Sequence, residues 1–100
     1  MRCLLIEDYL PLRASIRECL VDKGFVVDES ETGSVGFWHA ANHSYDVIIL
    51  DIMLPELDGL TILRKLRKLH DKTPVILISA KDAVSRLQRK LRAIWAGVSN

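Results

Sequence analysis

Three stretches of the chain are apolar with no polar alternation: Leu4-Leu5-Ile6, Val47-Ile48-Ile49-Leu50 and Val75-Ile76-Leu77-Ile78. Runs of this kind read as strands buried on both faces, the habit of parallel sheets, and they place strands over residues 2–7, 45–50 and 74–79. A weaker run, Phe25-Val26-Val27-Asp28-Glu29, turns polar toward its end and suits a sheet edge, with Asp28, Glu29 and Glu31 expected as a solvated rim. Between the strands the period changes to that of a helix. Leu12, Ile16, Cys19 and Leu20 form one stripe opposite Arg13, Arg17 and Asp22; Pro11 fits a first turn and Gly24 a C-terminal cap. Residues 33–42 predict a second helix with Val35, Trp38 and Ala41 at helical spacing, although Gly36 lowers its propensity. Asp58-Gly59 offers an N-cap and turn before a third helix, whose apolar face is read as Leu60, Ile62, Leu63, Leu66 and Leu69. Residues 70–73 form a turn, and Pro74 can open the next strand because its missing donor lies at the first position.

Strands and helices alternating in this order predict an α/β fold: a flavodoxin-like, doubly wound parallel sheet of order 2-1-3-4 with right-handed crossovers. The first, third and fourth strands are then neighbours, and Glu7, Asp8, Asp51 and Ser79 converge on the edge where such sheets bind ligands. A single acid at a strand end reads more readily as a solvated terminus. Several converging carboxylates repel one another and call for a cation, and hard oxygen ligands favour Mg²⁺. His39 and His43 also stand four apart, but no third ligand is spaced to join them and a surface role is expected.

The remaining composition narrows the class. A 100-residue chain is one small domain, and its 49% hydrophobic content without a long apolar run fits a soluble core and no membrane span. No secretory segment is expected at the N-terminus. Cys3 and Cys19 lack metal-ligand spacing and fall at apolar-patterned positions, as buried thiols in a reducing cytoplasm would. The net charge of +1 conceals an asymmetry: residues 1–84 carry ten Lys or Arg against thirteen Asp or Glu, whereas residues 85–100 carry four basic residues and no acid. The chain therefore divides into an α/β core over 1–84 and a basic amphipathic tail over 85–100, read as helical from Leu87, Leu91, Ile94, Trp95 and Val98.

The pair Glu7-Asp8, the block running from Asp51 through Pro55 to Asp58-Gly59, and Ile78-Ser79-Ala80-Lys81 together resemble the receiver domain of two-component response regulators, in particular those whose receiver precedes a winged-helix DNA-binding domain. The resemblance implies a cytoplasmic phosphoacceptor: Asp51 takes a phosphoryl group from a histidine kinase, assisting its own transfer without being an enzyme in the ordinary sense. It implies Mg²⁺ held by Asp8, Asp51 and the Met53 backbone carbonyl, with Glu7 acting through water, and Ser79 as the switch hydroxyl. Capping of the next helix by Ser79 remains an equal reading from the residue alone. An aspartate-phosphate hydrolase would want a second acid two residues after Asp51, where Met53 stands.

The resemblance departs after about Val84, where the family's fifth strand, its Lys-Pro pair and its fifth helix are not evident. A second function class follows, a phosphorylation-impaired, receiver-like interaction scaffold lacking the family lysine. The tail could cover a sheet edge, or form a homodimer or exchanged dimer through its helix. Direct binding to nucleic acid by this chain is not expected, although a full-length relative would carry the DNA-binding domain of a transcription regulator.

Overall fold

The computed structural model describes residues 1–79. The expected tail over 85–100, the core boundary at Val84 and the positions of Ala80 and Lys81 lie outside the described residues. Within them the elements run β1 (Arg2–Ile6), α1 (Leu10–Asp22), β2 (Val26–Ser30), α2 (Gly33–Asn42), β3 (Val47–Asp51), α3 (Gly59–Lys68) and β4 (Val75–Ile78). The four strands form one sheet of order β2-β1-β3-β4, every pair parallel, as the alternating pattern predicts.

Successive residues of β1 serve opposite faces. Cys3 and Leu5 pack with Ile16 and Leu20 of α1, while Leu4 and Ile6 pack with Ala40, Ile62 and Leu66 of α2 and α3. Because α1 covers one face and α2 and α3 the other, β1 and β3 must be apolar on both sides. All five residues of β3 are buried. Cys3 is fully enclosed, and burial pushes its thiol up to about 12, which makes it an inert packing group; Cys19 is half-buried.

α1 closes with a Schellman turn: the Gly24 N–H donates to the Val21 carbonyl at 2.9 Å and the Phe25 N–H to the Leu20 carbonyl at 3.0 Å. Gly24 takes φ +89°, which its missing Cβ permits. The chain then enters β2 after a three-residue connection, 23–25.

Two helix faces differ from expectation. In α2 the buried residues are Gly33, Gly36 and Ala40, while Val35 and Trp38 are about half exposed and Ala41 faces solvent. The reason is steric: a Cβ on Gly36 would overlap the Ile6 side chain, so the helix lies too close to the sheet for large residues on its inner face. In α3, Ile62 and Leu66 are buried and Leu63 is half-buried, but Leu60 and Leu69 point outward. About one buried residue per turn, Gly59, Ile62 and Leu66, suffices for the stripe it contributes. The rim expected around β2 is also compensated rather than solvated. Asp28 accepts from the Tyr45 hydroxyl at 2.8 Å and from Arg2 at 3.1 Å, and Glu29 is shared by Arg13 and Arg17.

Candidate functional site

The sheet order places its topological switch between β1 and β3, since α1 leads outward from β1 to one side and α3 leads outward from β3 to the other. Glu7 and Asp8 follow β1, and Asp51 is the last residue of β3. One carboxylate oxygen from each lies within 4.8 Å of the others. Glu7 and Asp51 are buried and Asp8 is exposed, so the cluster has an enclosed floor and an open mouth.

Local structure sets each acid. The Glu7 N–H donates to the Ser30 carbonyl at 3.0 Å, extending the β1–β2 ladder one residue beyond the strand. The Asp8 N–H donates to Glu7 Oε2 at 3.2 Å, and Asp51 Oδ1 accepts from the Met53 N–H at 3.0 Å. This last bond is an Asx turn, a short-range use of the aspartate to shape the exit from its own strand. Gly59 completes the support. Its N–H donates to the Ile52 carbonyl at 3.1 Å, and a Cβ there would collide with the Asp51 carbonyl oxygen, so only glycine lets α3 begin this close to the strand end. Asp58 caps α3 through the Thr61 N–H at 2.8 Å, as expected.

Burial disfavours the charged form of Glu7, and the Asp51 carboxylate, hydrogen-bonded to it, adds to the effect together with Asp8. Its carboxyl is thereby pushed up to about 8. Among the described residues no Lys or Arg forms an ion pair with any of the three acids. The donor set is all oxygen, anionic and open on one side, which fits a hard divalent cation that keeps several waters.

Of the residues expected at the site, Glu7, Asp8 and Asp51 come together. Ser79 follows Ile78, the register partner of Asp51, and is exposed at the same edge. The Met53 side chain is 76% exposed and takes no part in the core. Among the described residues His39 and His43 form no cluster of three metal-capable groups; their rings lie 5.8 Å apart, each edge-on to Trp38. Arg13 was expected on the outer face of α1. Instead its side chain is largely enclosed, and Nη1 donates to the Glu7 carbonyl at 2.9 Å. The signal in the sequence is a cation near a helix N-terminus, where the dipole disfavours it, five residues after an acid pair.

A doubly wound parallel sheet with an acidic, cation-ready cleft at its switch point is the class of protein that this geometry defines. Residues 3–98 match the family described as response regulator receiver domain. The chain is 43% identical over 84 residues to the transcriptional activator protein IrlR of Burkholderia pseudomallei, covering 84% of this chain and 36% of that protein. Among solved structures, the Francisella response regulator 1452 receiver domain matches with TM-score 0.76 and 30% identity, covering 91% of this chain and 75% of that one. Response regulator TrrA from Thermotoga maritima, solved in complex with Mg(2+)-BeF, matches with TM-score 0.83 and 25% identity over 93% of this chain and 97% of its own. TrrA has also been solved with the histidine kinase ThkA; that match, at 22% identity and TM-score 0.80, is a likeness of fold. The chain belongs to the response regulator receiver domain family, and it spans 36% of the length of the curated relative IrlR.

Among the described residues no helix is long and apolar enough to cross a membrane.

Proposed function

We propose that Asp51 is the phosphoacceptor of a cytoplasmic two-component receiver, taking its phosphoryl group from a phosphohistidine on a sensor histidine kinase. Mg²⁺ would be held by Asp8, Asp51 and the Met53 carbonyl, with Glu7 acting through water. The observation that carries this reading is the meeting of Glu7, Asp8 and Asp51 within 4.8 Å at the switch point of the sheet. When bound, Mg²⁺ would supply the positive charge that offsets the oxygens of a transferring phosphoryl group.

The chain's own contribution is positional. One oxygen of Asp51 is held by the Met53 N–H, which fixes the rotamer of the carboxylate at the mouth of the site. A carboxylate oxygen of Asp51 forms the new P–O bond as the P–N bond of the phosphohistidine breaks, the electron pair returning to the imidazole. Ser79, one residue beyond the partner of Asp51, is suited to donate its hydroxyl to a phosphoryl oxygen and draw its loop inward. The output, transcription control by a DNA-binding domain in the rest of a longer regulator, belongs to the same proposal.

Incubation of the chain with a small-molecule phosphodonor and Mg²⁺, followed by intact mass, is expected to show one added phosphoryl group. The adduct is lost in Asp51→Asn and on removal of Mg²⁺. A wild-type chain that takes up no phosphoryl group rejects the phosphoacceptor reading and leaves the interaction scaffold.

A further inference from the structure

Glu7 and Asp8 are joined by one peptide plane, and both ends of that plane are held. Its carbonyl accepts from Arg13 Nη1 at 2.9 Å, and its N–H donates to Glu7 Oε2 at 3.2 Å. A peptide unit is rigid, so fixing its carbonyl restricts the directions in which the two flanking Cα atoms project their carboxylates. The plane links two of the three acids of the cluster. Arg13 is anchored in turn, its Nε lying 3.4 Å from Glu29 Oε1 on β2, and its side chain is only 14% exposed. Arg17, the second partner of Glu29, is by contrast 53% exposed and contacts nothing at the cluster in the hydrogen bonds of the described residues.

We infer that Arg13 is a positioning residue for the cation site: its guanidinium bridges Glu29 of β2 to the Glu7 carbonyl and locks the Glu7–Asp8 peptide plane so that both acids face Asp51. The inference rests on the proposed cation-dependent function. The planar guanidinium suits the task because it presents donors in two directions at fixed angles, whereas the ammonium of a lysine is a single point. Two physical effects oppose each other at this position. As a nearby positive charge Arg13 repels a cation, so its removal should tighten Mg²⁺ binding; as a brace it preorganises the ligands, so its removal should weaken binding. Glu29, although shared with Arg17, offsets part of that charge, and the brace is expected to win.

The test is Mg²⁺ titration of the full chain by calorimetry, together with phosphorylation rates by a small-molecule phosphodonor across Mg²⁺ concentrations. Arg13→Gln and Arg13→Lys are each expected to weaken Mg²⁺ binding about tenfold, the lower end of the range for residues that orient metal ligands. The rate at saturating Mg²⁺ should stay close to wild type. Glu29→Gln shifts the midpoint in the same direction by less, and Arg17→Gln leaves it in place. An unchanged or tighter Mg²⁺ midpoint in Arg13→Gln overturns the assignment, whatever its melting temperature does, and so does full affinity in Arg13→Lys, which would make charge rather than geometry the cause. Should Arg13→Gln not fold, Arg13→Lys and Glu29→Gln carry the same decision. A wild-type chain that binds Mg²⁺ no differently from the variants defeats only the role of Arg13; a wild-type chain that binds no Mg²⁺ defeats the functional reading with it.

Discussion

Around the start of β1, acids are matched one by one. Asp28 accepts from Tyr45 and Arg2, and Asp46 accepts from the Arg2 backbone N–H at 2.6 Å. Past the end of β1, three carboxylates crowd together with no ion pair among the described residues. The consequence for protonation is opposite in the two places. The Tyr45 hydroxyl, with help from Arg2, holds the Asp28 carboxyl below its ordinary value, whereas burial and the neighbouring acids hold Glu7 far above its own. The same chemical group, a carboxyl, therefore stabilises the fold at one end of the sheet and strains it at the other. Internal compensation marks an acid as structural, and its lack marks a place prepared for something from outside the chain.

The contrast has its largest measurable consequence in the pH dependence of stability. A carboxyl raised in the folded state favours folding while it is protonated, so the contribution of Glu7 is present below about pH 4.5 and is lost as pH rises to about 8. In chelator, urea unfolding should show stability falling across that window by on the order of 2–4 kcal/mol, and Glu7→Gln should flatten the fall. Millimolar Mg²⁺ should restore stability on the alkaline side; a flat profile in wild type without Mg²⁺ would refute the strain. A smaller effect of opposite sign is expected at the other end. Tyr45→Phe removes a hydrogen bond to a charged acceptor and should cost about 1 kcal/mol at neutral pH, read as a shift in the urea midpoint. The contribution of Asp28 is present above the ordinary carboxylate value and lost as pH falls through its lowered one. The difference between Tyr45→Phe and wild type should accordingly shrink in acid. Smallest of all is Arg17→Gln, which gives up an exposed partner of Glu29 and should change stability by no more than about 0.5 kcal/mol.

The sheet and its switch edge were legible because runs such as Val47 to Leu50 leave no alternative to a strand covered on both faces, and because strand ends carry the polar residues out of the core. Helix faces were less so. Spacing alone favoured Val35 and Trp38 over Gly33 and Gly36, since hydrophobic patterning rewards large residues and cannot show that a helix must press against Ile6. The compensation of Asp28 and Glu29 depends on partners 17 and 12 residues away, brought near only by the crossovers. Arg13 was hidden for a related reason: on a helical wheel it belongs to the polar side, and only the fold brings the Glu7 carbonyl and Glu29 within its reach.

The fully enclosed β3 has one more implication. A strand sealed above and below has no spare volume into which to recoil, because interiors are packed as densely as organic crystals. A group attached to Asp51, as proposed, would meet a fixed backstop, and its push would be delivered sideways, into the loops flanking the cleft. Stiffness at the centre is thus what would let a change of a few atoms be felt at the perimeter.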